Sequence, residues 1–223
     1  MNWLPNNLST DSIVWAISSP LIYGFICTKV NRAPLLPVLI ASFAVGFLTS
    51  YVAYIAEASL ALGGFVVGGR HAWIGFTALV ALPEETVKLA ALIGLTHNEP
   101  SRNRATLIIA CFIGCGFAAS ENLVYLTRFG GDVISARFLT ATAFHVFNAI
   151  LMARLLVTKT ISEDSLRIAL ALLVPVLLHG AYDYLAMQGS RDGGQFVFVL
   201  GFAVAAGFVT LRAYPMDAQP QQV

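Results

Sequence analysis

Long apolar stretches alternate with short polar breaks along almost the whole chain. A membrane-spanning helix needs about 20 predominantly apolar residues. Stretches near that length occupy Ser12–Thr28, Leu35–Ile55, Ala72–Leu95, Ala105–Thr127, Ala136–Val157, Leu166–Met187 and Gln195–Leu211. The breaks between them carry Gly, Pro or charged residues, and none is long enough to hold a second domain. The pattern predicts an all-α polytopic membrane protein, a bundle of about seven transmembrane helices.

Composition supports this prediction and excludes several partners. The chain is 57% hydrophobic and 11% charged, with a mean hydropathy of +0.76, which is too apolar for a soluble domain of 223 residues. The formal net charge of +1 offers no basic surface for nucleic acid. We therefore expect a lipid bilayer around the chain, and neither nucleic acid nor nucleotide as a partner. Residues 1–213 are predicted to form one transmembrane helical domain, followed by a disordered polar tail over 214–223.

Basic residues indicate the orientation, because Lys and Arg favour cytoplasmic loops. With the N-terminus outside, eight basic residues fall on the cytoplasmic side and four on the outer side, and Lys88 lies within a span. The cytoplasmic set is Lys29, Arg32, Arg102, Arg104, Arg154, Lys159, Arg167 and Arg212, and the outer set is Arg70, Arg128, Arg137 and Arg191. The bias predicts an external N-terminus and a cytoplasmic C-terminus.

Several ionisable side chains interrupt the apolar spans. Each charge near the centre of a membrane helix costs about 2.5–3.5 kcal/mol on the translocon scale, so such residues suggest a functional site by default. They are Glu84, Glu85, Lys88, Glu121 and Asp183, accompanied by His145 and His179. Counted at about 1.5 Å per residue from the predicted outer ends of four antiparallel spans, Glu84, Glu121, His145 and His179 fall in one layer roughly 10–18 Å deep. This common depth predicts that they meet.

The acidic pair Glu84 and Glu85 follows Pro83, which removes one backbone hydrogen bond and loosens the helix. Lys88 lies one turn after Glu84 on the same face. Two neighbouring carboxylates in a low dielectric cannot both be charged at low cost, so we expect one to accept a proton and the other to stay protonated. Lys88 would tune this balance through its positive charge. The alternative is a buried ion-pair cluster that only fixes helix packing.

The other polar residues extend this chemistry to three more spans. His179 and Asp183 are four residues apart, so the carboxylate could orient the imidazole or bind its second nitrogen. Taken singly, either histidine could be a satisfied core residue, and Glu121 could simply pair with Arg128. Taken together, imidazoles and carboxylates in a water-poor layer can hold and deprotonate a water molecule.

Two mechanisms remain open at this stage. In the first, Glu121, His145 and His179 bind Zn²⁺ with an open coordination position, and Glu84 or Glu85 acts as general base on the bound water. In the second, no metal is used: a glutamate of the acidic pair activates the water, and His179 or a nearby amide stabilises the oxyanion. The catalytic candidates are Glu84, Glu85, Lys88 and His179, within a catalytic core over residues 72–187. We expect Asn122, Asn148 and Asp183 to support them.

At these residues the chain resembles the PrsW family of intramembrane endopeptidases, within the wider group that includes the CAAX prenyl endopeptidases and bacterial immunity-type proteases. The resemblance covers about Pro83 to Asp183, with its motifs in family order. They are E-E-x-x-K (Glu84, Glu85, Lys88), F-x-x-x-E-N-x-x-Y (Phe117, Glu121, Asn122, Tyr125), a single histidine (His145) and H-G-x-x-D (His179, Gly180, Asp183).

Three departures separate this chain from the CAAX endopeptidases. Lys88 replaces an arginine that lies one position further on, Glu121 replaces a histidine, and Asp183 replaces an asparagine. These differences argue against a prenylated substrate. The resemblance implies cleavage of membrane-anchored proteins, for example anti-sigma-factor-like proteins, in the cell membrane of a prokaryote. Together with the depth estimate, it predicts cleavage near the outer face.

Two other functions remain as alternatives. A proton-coupled transporter also uses chains of Asp, Glu and His, although we find no convincing similarity between the two halves of the chain of the kind that many transporters show. A non-catalytic scaffold could keep the same fold without the reaction.

Overall fold

The computed structural model describes residues 9–30, 34–62, 72–97, 104–158 and 162–192. Every regular element within these residues is a helix, which confirms the all-α prediction. The helices are α1 (Thr10–Val30), α2 (Leu36–Leu62), α3 (Ala72–Phe76), α4 (Leu82–Thr96), α5 (Arg104–Phe129), α6 (Asp132–Arg137), α7 (Ala143–Val157) and α8 (Asp164–Asp192). A π-helical turn at Thr77–Ala81 joins α3 to α4, and a second at Phe138–Thr142 joins α6 to α7.

The two π turns make continuous rods of α3 with α4 and of α6 with α7, so the described residues form six rods of membrane-spanning length. Five of the six are long and apolar enough to cross a bilayer. The exception is the α3–α4 rod, which carries the three charges of Glu84, Glu85 and Lys88. The predicted seventh span, Gln195–Leu211, and the predicted tail lie outside the described residues.

Helix α5 lies at the centre of the bundle and packs against α1, α2, α4 and α7. Within the apolar window of its span 78% of the residues are buried, compared with 22% for α2. Small residues in the middle of α5 allow this close packing. A Cβ added at Gly116 would lie 2.0 Å from the carbonyl oxygen of Phe43 on α2. Gly116 therefore allows α5 to lie close to the backbone of α2.

The outward faces of α1, α2 and α8 present large apolar side chains, including Phe25, Ile40 and Leu173, which are all more than half exposed. A lipid bilayer provides the surroundings that such faces need. Polar side chains turn inward instead, toward the space between α4, α5, α7 and α8. This division of apolar and polar positions determines where chemistry can take place.

Candidate active site

The α3–α4 rod brings three charged side chains into the interior. The Leu82 N–H bonds to the Thr77 carbonyl oxygen, five residues earlier, so the rod is widened directly before Pro83. A proline ring clashes with the carbonyl four residues before it in a regular α-helix, and a π turn relieves that conflict. Beyond it, Glu84, Glu85 and Lys88 are all buried.

Lys88 is the cation at the centre of the site. Its Nζ lies 2.9 Å from Glu85 Oε1, 3.0 Å from His145 Nδ1 and 3.5 Å from Glu84 Oε2. The ammonium also stands 3.9 Å from the centre of the Phe117 ring. Its side chain is fully buried, and these contacts to carboxylates, an imidazole and an aromatic face offset the loss of water.

The two ring nitrogens of His145 have different partners. An ammonium can only donate hydrogen bonds, so Nδ1 accepts the bond from Lys88. The ring hydrogen is therefore on Nε2, which donates to Glu121 Oε2 over 2.6 Å. This network assigns the tautomer and directs Nδ1 toward the acidic pair on α4.

His179 of α8 is oriented by the same acidic pair. Its Nδ1 donates to Glu85 Oε1 over 2.7 Å. Its Nε2 faces Glu84 Oε2 at 3.9 Å and Asp183 Oδ2 at 3.6 Å. The His179 ring meets His145 edge-on, with 5.1 Å between ring centres. The predicted contact between His179 and Asp183 exists, although Glu85 makes the closer one.

An outer network surrounds Glu121. Arg137 Nη2 lies 2.8 Å from Glu121 Oε2, and Arg137 Nε donates to Asn122 Oδ1 over 2.9 Å. The partner of Glu121 is therefore Arg137, whereas Arg128 reaches the hydroxyl of Tyr54. Arg137 thus contacts Asn122 and Glu121 at the same time.

The sequence prediction counted Arg137 only among the outer basic residues and missed its contact with Glu121. Residues eight apart on a regular helix point roughly 80° away from each other, which separates Arg137 from His145. The π turn at Phe138–Thr142 accommodates one extra residue between them, so the helix rotates roughly 100° less and the two side chains point within about 20° of each other. Both side chains consequently reach the same oxygen of Glu121. The available signal in the sequence was Arg137 itself, a basic residue at the start of the span that contains His145.

Asn148 and Glu57 complete the surroundings. Asn148 Nδ2 donates to the Pro175 carbonyl oxygen of α8 over 3.1 Å, so it joins α7 to α8 without touching the charged cluster. Glu57, near the end of α2, lies close enough to Glu121, His179 and Asp183 to interact with them electrostatically. The sequence prediction missed Glu57 because the second span was predicted to end at Ile55.

The described residues contain one group of side chains that could hold a metal ion, formed by Glu84, Glu85, His145 and His179. One ligand atom from each lies within 4.8 Å of the others, and all four residues are buried. Glu84 Oε2 and Glu85 Oε2 have no hydrogen-bond partner. Imidazole nitrogens and carboxylate oxygens are ligands that zinc accepts. These donors fit such an ion, and the set differs from the predicted one in having Glu84 and Glu85 in place of Glu121.

Comparison with known proteins identifies the family. Residues 34–211 match the family described as PrsW family intramembrane metalloprotease. The chain belongs to the PrsW family. The match contains every residue that the sequence motifs singled out, from Glu84 to Asp183.

Curated relatives within the PrsW family share limited identity with the chain. A protein named Protease PrsW from Bacillus subtilis (strain 168) is 28% identical over 123 residues, which are 53% of this chain and 56% of the relative. Protease PrsW from Geobacillus kaustophilus (strain HTA426) is 28% identical over 150 residues, 64% of this chain and 65% of the relative. The aligned part thus spans between about half and two thirds of these relatives' length. No solved structure matches the chain significantly.

Proposed function

We propose that this chain is an intramembrane endopeptidase that hydrolyses a peptide bond of a membrane-anchored protein. One observation carries the proposal: two buried imidazoles and two buried carboxylates from three helices converge, and each carboxylate keeps one oxygen without a hydrogen-bond partner. Buried polar atoms are normally hydrogen-bonded, so carboxylate oxygens without such a bond in a converging group suggest that a ligand or reactant completes the site. Membership of the PrsW family favours hydrolysis over the transporter alternative.

The residues best placed to hold a divalent metal are Glu84, His145 and His179. Glu84 Oε2 lies 3.9 Å from both His145 Nδ1 and His179 Nε2. Those distances would let the three side chains hold one divalent ion after a small side-chain adjustment. A metal held there would supply a Lewis acid for the scissile carbonyl and for water. Two histidines and one carboxylate are a ligand set that catalytic zinc sites use.

Glu85 is the proposed general base. Its Oε1 is fixed by Lys88 and by His179, while its Oε2 remains available to accept a proton from water. The same carboxylate orients His179 through Nδ1, an arrangement that also strengthens an imidazole as a metal ligand. After accepting the proton, Glu85 can return it to the leaving amine, so one side chain serves both halves of the hydrolysis.

The outer network and the orientation suggest how the substrate is cut. Arg137 and Glu121 lie beside the proposed metal ligands, on the side of the predicted external ends of α5 and of the α6–α7 rod. With the N-terminus outside and the C-terminus in the cytoplasm, a substrate with one span would be cleaved close to the external end of that span. The substrate class is therefore a single-span membrane protein of the prokaryotic cell membrane.

A cleavage assay with matched variants tests the proposal. The purified protein is reconstituted in liposomes with a panel of doubly tagged single-span membrane proteins from the same cell membrane, and new termini are identified by mass spectrometry. We expect Glu85→Gln and His179→Ala to lower the cleavage rate at least about a hundredfold, since each removes a group that acts in the proton transfer or holds the metal.

The control for Glu85→Gln is Glu163→Gln, which makes the same change at an exposed glutamate before α8. This control should cleave at the wild-type rate. Wild-type cleavage by a folded, membrane-inserted Glu85→Gln protein would refute the assignment of Glu85.

A further inference from the structure

Lys88 contacts the same atoms that a metal would need. Of the three proposed ligand atoms, His145 Nδ1 lies 3.0 Å and Glu84 Oε2 lies 3.5 Å from the ammonium nitrogen. The third, His179 Nε2, belongs to a ring held through Glu85, which Lys88 also contacts. The ammonium therefore lies among the proposed ligand atoms and is in direct contact with two of them.

The contact to His145 cannot coexist with metal ligation through the same nitrogen. Nδ1 has one lone pair in the plane of the ring, and it is occupied by the hydrogen bond from Lys88. Like charges at such short distances inside a protein also repel strongly, because the effective dielectric constant is low. A divalent ion bound by His145 Nδ1 and Glu84 Oε2 must displace the ammonium from both.

The surroundings provide a place for the displaced ammonium. Glu85 Oε1 and the Phe117 ring, which lie 2.9 Å and 3.9 Å from Nζ, are not among the proposed metal ligands. Lysine carries a compact charge on a flexible four-carbon chain, so it can give up two contacts and keep two others. Removing a partner from buried carboxylates is costly, which explains the need for a cation whenever the metal is absent.

We propose that Lys88 is the resident cation of this site, and that metal binding exchanges its ammonium for a divalent ion at His145 Nδ1 and Glu84 Oε2. This inference rests on the proposed function, because it takes its ligand atoms from there. Lys88 then has two effects. It stabilises the protein before metal enters, and it lowers the affinity for metal by competing for the ligands.

Metal affinity of a variant without the ammonium tests this exchange. Lys88→Met keeps an unbranched side chain and removes the charge. Metal-stripped protein in detergent is titrated with Co²⁺, followed through its visible absorption bands, and zinc affinity is measured by competition with a chelator. We expect Lys88→Met to bind both ions at least tenfold more tightly than the wild type. Lys29→Met, which removes a cation at the end of α1, should leave the affinity unchanged.

The same variant should respond more to metal in thermal unfolding. Without metal, Lys88→Met is expected to unfold at a lower temperature than the wild type, and saturating zinc should raise its unfolding temperature by more than it raises that of the wild type. Equal or weaker metal affinity in Lys88→Met overturns the exchange, and so does the absence of metal binding by both proteins. Neither readout uses proteolysis. If cleavage fails while both readouts behave as expected, the proposed hydrolysis is refuted and the exchange stands.

A second measurement keeps Lys88 in place. The chain has three lysines, Lys29, Lys88 and Lys159, so the Lys29→Met/Lys159→Met protein carries Lys88 alone. With ¹³C-labelled lysine, its ε-protons should show nuclear Overhauser contacts to the rings of His145 and Phe117 before metal is added. At one equivalent of zinc the contact to His145 should disappear while that to Phe117 remains. Persistence of the His145 contact at saturation contradicts the exchange.

Discussion

Buried charge in this molecule is organised around shared atoms rather than isolated pairs. Glu121 Oε2 is contacted by both Arg137 and His145, and Glu85 Oε1 by both Lys88 and His179. Each carboxylate thus holds one cation and one imidazole, and His145 links the two halves through its two nitrogens. Removal of a side chain at one end of this chain of contacts should therefore alter the interactions at the other end.

Arg137→Met tests the outer half of this network. The substitution leaves the largely buried Glu121 carboxylate without its cation, and we expect a loss of about 3 kcal/mol in the free energy of unfolding. Thermal or denaturant unfolding in detergent measures it. Adding Glu121→Gln to Arg137→Met should recover part of the loss, because the unpaired charge is then removed.

Arg128→Met is the matched control, since Arg128 is exposed and only approaches the Tyr54 hydroxyl. Its effect should stay within about 0.5 kcal/mol. Equal effects of the two arginine substitutions would contradict the pairing of Arg137 with Glu121.

Among the helices, the π turns and the close approaches position the site. The turn at Thr77–Ala81 precedes the acidic pair, and Gly180, directly after His179, packs against it. A Cβ at Gly180 would lie 2.1 Å from Thr77 Oγ1 and 2.7 Å from Thr77 Cα. Contact with a backbone atom at that distance requires α8 to move away from the α3–α4 rod.

Gly180→Ala is therefore expected to destabilise the protein by about 1–3 kcal/mol, the usual cost of overpacking, and to slow cleavage by displacing His179. Gly94→Ala is the control, because a Cβ at Gly94 meets nothing within 4 Å. It should be neutral or stabilising by up to about 1 kcal/mol, as alanine is the better helix former. Unfolding of both variants and cleavage rates measure the contrast. A Gly180→Ala protein with wild-type stability would contradict the packing described for α8.

The sequence was sufficient to predict the described helices and the convergence of their polar residues. It was insufficient to predict which of these side chains contact one another. Apolar length gives the spans, and common depth brings Glu84, His145 and His179 together, because both follow from a fixed rise per residue. The choice of Arg137 over Arg128 depends on a π turn, which no periodic pattern shows. That the candidate ligand group contains Glu84 and Glu85 in place of Glu121, and that Glu57 lies nearby, depends on side-chain directions that the helix positions alone do not determine.

Across the whole molecule, the bundle separates a lipid-facing exterior from a polar interior, and its orientation in the membrane sets the side from which the proposed substrate would approach. The basic residues predict that the connection between α4 and α5 is cytoplasmic and that between α5 and α6 is external. His97 lies in the first connection and Gly130 in the second. The three native cysteines are buried, so introduced thiols can be followed individually.

Labelling of intact cells with a membrane-impermeant thiol reagent tests this orientation. Gly130→Cys should react in intact cells, whereas His97→Cys should react only after the membrane is opened. The wild type, with its buried thiols, serves as the unlabelled control. The opposite labelling pattern would invert the topology and place the site in the cytoplasmic half of the membrane.

We propose that Glu84, Glu85, His145 and His179 form one metal-assisted site for hydrolysis. The most direct measurement is a zinc titration of metal-stripped protein in liposomes, following the rate of cleavage of a single-span substrate. We expect no cleavage without metal, and a rate that rises to a plateau at one zinc per chain. Full cleavage by the stripped protein, unchanged by added zinc, would contradict it.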